Sequence, residues 1–268
     1  MRTLAAALLW CVTTVATFVA IGAGWSTTHL QSEDGFVDLT SHVGDDREVQ
    51  ERAADLAGEA FADQTGLPIA LHDRVAAAVG DAILRLTESA DWSEAWRETT
   101  RSAHRELFGE PTPTSIRADV APLVGLALGE VDLPIPLTGP DELMVTLSEE
   151  DPGDLVAAVE RSRGLAVVAV AVAVVAALLA LVVSRRRSTT LATLGIGVML
   201  AAAAWWVIGR EGVPRLVEQQ STGTDSAREL GHVLTARIVE SLDTTLLWVA
   251  VGGAVIAAVG LVSSARRS

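Results

Sequence analysis

The stretch GLAVVAVAVAVVAALLALVV, residues 164–183, holds no charged side chain and runs directly into SRRRS, residues 184–188. As a helix rising about 1.5 Å per residue, such a stretch crosses the roughly 30 Å hydrocarbon core of a bilayer. Three more stretches, Thr3 to Gly24, Leu191 to Ile208 and Leu246 to Val262, are equally free of charge and long enough to span. The chain therefore reads as a four-span membrane protein, mainly α.

Working outward, the arginines of the short stubs beside these spans all fall at one end: Arg2, the turn Arg185-Arg186-Arg187, and the tail pair Arg266 and Arg267. No acid accompanies them. Cationic stubs are retained inside during insertion, so both termini and the arginine turn are expected in the cytoplasm, with the protein multi-pass in the plasma membrane. The expected organisation is an anchor over 1–24 and an extracytoplasmic helical domain over 25–163. A hairpin over 164–208 follows, then a second extracytoplasmic loop over 209–245, and a fourth span with its tail over 246–268. Arg161, Arg163 and Arg210 flank spans on the opposite side, which long translocated domains tolerate.

Half of the 268 residues are hydrophobic, yet the net charge is −14. Segregation along the chain reconciles the two. Residues 25–163 hold 28 acids against 10 arginines, a net of −18, and residues 209–245 hold 6 against 4. A surface so acidic repels nucleic acid and anionic lipid heads, which argues against nucleic-acid partners. Lys, Asn and Tyr are all absent, a usage that suggests a high-GC, actinobacterial genome and leaves no N-glycan acceptor. The one cysteine, Cys11, lies in the first span, so no intramolecular disulfide can form.

The first apolar run could be a cleaved signal, with Ile21-Gly22-Ala23 offering a small residue for cleavage. Its length and the outer Trp25 favour an uncleaved anchor. Trp10 before Cys11 and the long apolar run after it argue against lipidation.

The domain over 25–163 shows helix signals. One helix starts at Asp45 or Asp46, with Glu48 as capping partner, carries an apolar face of Val49, Ala53, Leu56 and Ala60, and ends at Gly66. Pro68 opens a second, with Leu71, Val75, Val79, Ile83 and Leu86 in line. Asp91 with Glu94 opens a third, bearing Trp92, Trp96, Thr99, Ala103 and Leu107. Six of the nine prolines fall between Gly109 and Pro140, which predicts turns, with a short strand pair at Ser115–Ala118 and Leu143–Leu147. Asp151-Pro152-Gly153-Asp154 starts a helix that nothing interrupts before Val183. In the second loop, Ser226 and Glu229 form a capping box ahead of Leu230, Leu234, Ile238 and Leu242.

Motifs for chemistry are sparse. His29, His42, His72, His104 and His232 show no metal-ligand spacing, and HExxH, CxxC, phosphate-loop and GxSxG patterns are missing. His72-Asp73 and His104-Arg105-Glu106 read as solvated or packing clusters on helices. Asp45-Asp46 and Glu149-Glu150-Asp151, the densest acids, lack the alternating ligands of a calcium loop. No catalytic, cofactor-binding or metal-binding residue is assigned, and no cofactor is expected. Apart from Cys11 the spans hold no ionisable group, which disfavours ion coupling inside the bilayer. Small residues instead offer close helix packing: Gly195, Gly197, Ala201 to Ala204, Gly252-Gly253 and Gly260.

Trp96 with His104 eight positions on, the stretch Asp119-Val120-Ala121-Pro122-Leu123-Val124, and Arg185-Arg186-Arg187 followed by Gly195 and Gly197 give the chain a family likeness. It resembles a group of uncharacterised actinobacterial integral membrane proteins with an N-terminal anchor, a helical extracytoplasmic domain and a hydrophobic hairpin. That resemblance implies architecture and supplies no active site.

The function expected is that of a non-enzymatic envelope protein. Its acidic domain binds a protein partner or helps assemble an envelope complex, and the bilayer is its other partner. Alternatives are a sensor or transport accessory coupling ligand binding to the membrane helices, and a hydrolase with a dispersed site.

Overall fold

A computed structural model of the protein describes residues 2–66, 68–109, 111, 113–130, 139–148, 151–212 and 225–265. In chain order the helices and strands are α1 (Arg2–Ser26), α2 (Glu33–Ser41), α3 (Arg47–Gln64), α4 (Ile69–Leu86), α5 (Ala90–Leu107), β1 (Ile116–Asp119), α6 (Ala121–Leu128), β2 (Met144–Ser148), α7 (Gly153–Val183), α8 (Arg187–Val207) and α9 (Asp225–Ala265). Single π-helical turns, Thr27–Gln31 and Ile208–Gly212, extend α1 and α8. The fold is mainly α with one short strand pair. Four helical stretches, Leu4–Gln31, Gly153–Val183, Arg187–Glu211 and Val239–Ala265, are long and apolar enough to cross a membrane. The protein is a multi-pass membrane protein. Outward-facing aliphatic side chains such as Val168, Val174 and Val182 are the surface that lipid covers.

The chain divides into two compact units, one of Met1–Thr28, Ala158–Gln220 and Ile238–Ser268, the other of His29–Ala157 and Ser221–Arg237.

In the first unit α1 and α8 run parallel. Trp10 Nε1 donates to the Thr193 carbonyl at 2.7 Å and, two turns on, Trp205 Nε1 donates to the Phe18 carbonyl at 2.7 Å. α9 lies antiparallel to α8, with their backbones touching: a Cβ on Gly253 would sit 2.9 Å from the Gly195 carbonyl oxygen, and one on Gly260 would sit 2.4 Å from the Ala192 amide. Only glycine permits this approach, in which backbone dispersion and weak Cα–H···O contacts replace side-chain interdigitation. At one end, Ile21, Ala201, Ala202, Leu242 and Leu246 form a buried cluster with Phe18, Trp25 and Trp205 around it. A polar girdle edges this cluster. Arg210 pairs with Asp243 at 3.1 Å and stacks 4.5 Å over the Trp206 ring, Trp25 Nε1 reaches Ser241 Oγ at 3.4 Å, and the Thr27 and Ser162 hydroxyls bond at 3.0 Å.

In the second unit α3 and α4 form an antiparallel pair, joined through Gly66, whose φ of +60° suits it to end α3. The buried face of α3 is Ala54, Ala57, Gly58, Phe61 and Ala62 beside Val49; of the expected line, Ala53 and Ala60 pack half-buried against this core and Leu56 does not join it. Close approach selects this rotation: a Cβ on Gly58 would lie 2.3 Å from the Ala76 carbonyl oxygen. On α4 the buried residues include Val79, Ala82 and Ile83, whereas Leu71 is exposed. Trp92, Leu123, Val124, Ala127 and Leu143 complete the core.

Two helix starts differ from expectation. Ser89, not Asp91, caps α5, its Oγ accepting from the Trp92 amide at 3.1 Å. Asp46 caps α3 by accepting from the Glu48 amide at 3.0 Å, which selects it over Asp45. The helix α2 has no counterpart in the sequence reading. Ser32 caps it through the Gly35 amide at 3.2 Å. The strands pair antiparallel, Arg117 with Thr146, Ala118 with Val145 and Asp119 with Met144, about one residue later than expected. Within the proline-rich stretch α6 is regular, with Pro122 in its first turn, where a missing N–H costs nothing. Of the acidic cluster Glu149-Glu150-Asp151, the first two lie outside the described residues, as do Arg266, Arg267 and the side chains of Ser226, Glu229 and His232. α7 runs unbroken from Gly153 to Val183 as expected, its start marked by the Asp151 carboxylate accepting from the Gly153 amide at 2.8 Å. α9 likewise continues from Asp225 through the last span without a break.

Candidate functional site

The polar and aromatic side chains of the second unit gather along α5. Trp92, fully buried, donates from Nε1 to the Gly44 carbonyl at 3.1 Å, and Gln50 Nε2 donates to the same oxygen at 2.9 Å. One turn on, Trp96 Nε1 donates to the Thr40 carbonyl at 2.9 Å while its ring covers Gly44, where a Cβ would come within 2.6 Å. The two indoles stack at 5.7 Å. Two turns further, His104 is buried between Phe36 (5.2 Å) and Phe108 (4.7 Å), and its Nε2 bonds to the Leu30 carbonyl at 3.1 Å. Residues 92, 96, 100 and 104 recur at helical spacing, so one stripe of α5 closes down on α2 and the turn after it. Arg101 reinforces this closure from the rim, reaching Glu33 at 3.2 Å and Glu98 on its own helix. These bonds tie α5 to the main-chain oxygens of Leu30, Thr40 and Gly44. Their role is to hold the domain's entry segment in place.

His72 projects from the first turns of α4 toward α3. Its Nε2 lies 2.8 Å from Asp63 Oδ1 and its Nδ1 3.3 Å from Asp73 Oδ1. The bond to Asp63, and then that to Asp73, raise the imidazole above its ordinary 6.5 by favouring the cation. Both ring nitrogens are engaged. Among the described residues no three His, Cys, Asp or Glu side chains come together as a metal-ion site. Ser41 Oγ lies 3.3 Å from His42 Nδ1, but the hydroxyl donates to the Asp38 carbonyl at 2.7 Å, so its proton already has an acceptor.

A groove of about 450 Å³ lies where α5 turns toward β1, lined by Glu106, Gly109, Pro111, Pro113, Thr114, Ser115 and Arg117. Arg117 and Glu106, both in its lining, form an ion pair. Among its described lining residues Arg117 is the one cation, and Thr114 and Ser115 offer hydrogen-bonding groups. Asp119 closes the far end of β1, its Oδ1 accepting from the Ala121 amide at 2.9 Å and the Leu143 amide at 2.8 Å, which fixes the turn into α6 and the strand pairing together.

Of the residues singled out from sequence, His104 proves to be packed and His72 ion-paired at the surface. Gly44, Leu30 and Glu33, on which the α5 stripe closes, were missed, since their part is played by main-chain oxygens and by contacts across 48 to 74 positions. The chain was compared with known protein families, curated proteins and solved structures, and it matches none of them.

Proposed function

We propose that the protein is a non-enzymatic component of the cell envelope, anchored by four helices, whose acidic helical domain lies outside the membrane and docks a protein partner. The observation carrying this reading is the separation of charge: −18 over residues 25–163 against six arginines and no acid in the stubs at 1–2, 184–188 and 263–268. Cation-rich stubs are retained in the cytoplasm, so the acidic domain faces out. A surface of that sign favours a partner with a basic face through steering and complementarity. The layout resembles that of uncharacterised actinobacterial integral membrane proteins with an N-terminal anchor, a helical extracytoplasmic domain and a hydrophobic hairpin.

Reporter fusions at residue 100, in the 184–188 turn and at residue 225 test the orientation: outside, inside and outside are expected, and a cytoplasmic report at 100 overturns it. Crosslinking in the native membrane followed by mass spectrometry tests the partner. Recovery of the protein alone rejects the docking role.

A further inference from the structure

We propose that the arginine turn between α7 and α8 is a binding site for the phosphate of anionic phospholipids. The turn joins two membrane-length helices over only Ser184–Arg186, so its side chains must lie at the depth of the lipid headgroups whichever way the protein faces. Arg185, Arg186 and Arg187 are all exposed, and among the described residues none pairs with a carboxylate. The sequence carries no Asp or Glu between Glu160 and Glu211, and none within residues 1–32 or 244–268, so no acidic side chain stands near the turn along those stretches. Of the local hydroxyls, Ser184 and Thr190 bond to each other and Thr190 also bonds to the Arg186 carbonyl, while the three guanidiniums supply the cationic donors of the turn.

The neighbouring helices add to the same field. Gly260 of α9 packs beside the Ser188 carbonyl, and Trp10 of α1 bonds to Thr193 nearly two turns inside α8. The ends of α1 and α9 therefore converge on the turn, and their sequences continue into Met1-Arg2 and Ser263–Ser268, again without an acid. Arg210, at the opposite end, shows the contrast: Asp243 and the Trp206 ring already satisfy it. A phosphodiester accepts two parallel N–H bonds from one guanidinium, and headgroup-level cations attract anionic leaflets strongly.

The test uses the full-length protein reconstituted in phosphatidylcholine vesicles containing trace spin-labelled phosphatidylglycerol or spin-labelled phosphatidylcholine. The fraction of motionally restricted label gives the relative association of each lipid. The phosphatidylglycerol label should be favoured severalfold, on the order of the attraction of a few headgroup-level cations. The R185Q/R186Q/R187Q variant should lose most of that preference, and R163Q should keep it. Should the triple Gln variant fail to insert, R185K/R186K/R187K, which retains the charge, must keep a salt-sensitive preference. Equal association of both lipids with the wild type overturns the proposal, as does a preference that survives R185Q/R186Q/R187Q. Displacement of the labelled lipid by inorganic phosphate beyond that caused by sodium chloride at equal ionic strength would also overturn it, by assigning the site to a free anion.

Discussion

Trp205 and Phe18 are joined twice: the indole Nε1 donates to the Phe18 carbonyl at 2.7 Å, and the two rings stack with centroids 4.9 Å apart and planes 16° from parallel. Gly22, one turn along α1, makes room for this, since any Cβ there would fall 2.1 Å from the indole. Gly22→Val should therefore force the indole off its acceptor and lower stability by about 1–3 kcal/mol, the usual cost of overpacking. Gly24→Val, which meets open space, should change little. Thermal unfolding in detergent, read by tryptophan fluorescence, compares them, and equal melting of the two variants would refute the contact.

Neighbouring glycines in α9 should behave in opposite ways. Gly253 touches the Gly195 carbonyl, whereas nothing lies near a Cβ on Gly252. Gly253→Leu should separate α8 from α9 and cost about 1–3 kcal/mol, while Gly252→Leu faces lipid and should be close to neutral. Protease resistance and melting of the purified variants would show the difference.

Trp92 combines core volume with a hydrogen bond, and two substitutions divide these. Trp92→Phe keeps most of the apolar contact but removes the donor to the Gly44 carbonyl, which Gln50 still satisfies, so a loss of about 0.5–1.5 kcal/mol is expected. Trp92→Ala opens a cavity in the core and should cost about 3–5 kcal/mol. Denaturant unfolding of the full chain in detergent would rank them, and a Phe variant as damaged as the Ala variant would contradict this division.

The His72 pair gives a pH signature. Because Asp63 and Asp73 raise the folded-state pKa above the ordinary 6.5, the stabilisation is full below 6.5 and fades as pH rises through the raised value. His72→Gln should accordingly lower the melting temperature in mildly acidic buffer and leave it unchanged in alkaline buffer. A difference growing with pH would reverse the sign and disprove the pairing.

The spans, α7 and the helix pair α3–α4 could be read from sequence because each rests on a local signal: an uncharged run of membrane length, an Asp-Pro start, a Gly stop. What escaped rests on contacts made across the chain. Leu56 was misplaced on the face of α3 because it outweighs Ala54 and Ala57 in apolar area, yet the helix turns its small residues inward so that Gly58 can meet the Ala76 carbonyl. In α2, Ser32 with Gly35 three residues on is a cap without an acidic partner, and its buried residues are only Val37 and Thr40. The pinning of Trp92, Trp96 and His104 was invisible because their acceptors are main-chain oxygens of Gly44, Thr40 and Leu30, which no side-chain pattern announces.

The pairing of helix directions in the first unit, α1 with α8 one way and α9 the other, has an electrical consequence once set beside spans that hold no ionisable group except Cys11. A membrane voltage does work only on charge or dipole displaced through the bilayer, about 2.3 kcal/mol per elementary charge per 100 mV. With no formal charge in the stretches 3–24, 164–183, 191–208 and 246–262, and the α9 dipole opposed to those of α1 and α8, the field has little to grip there. Conformational equilibria of this protein should respond only weakly to the polarisation of the membrane that holds it.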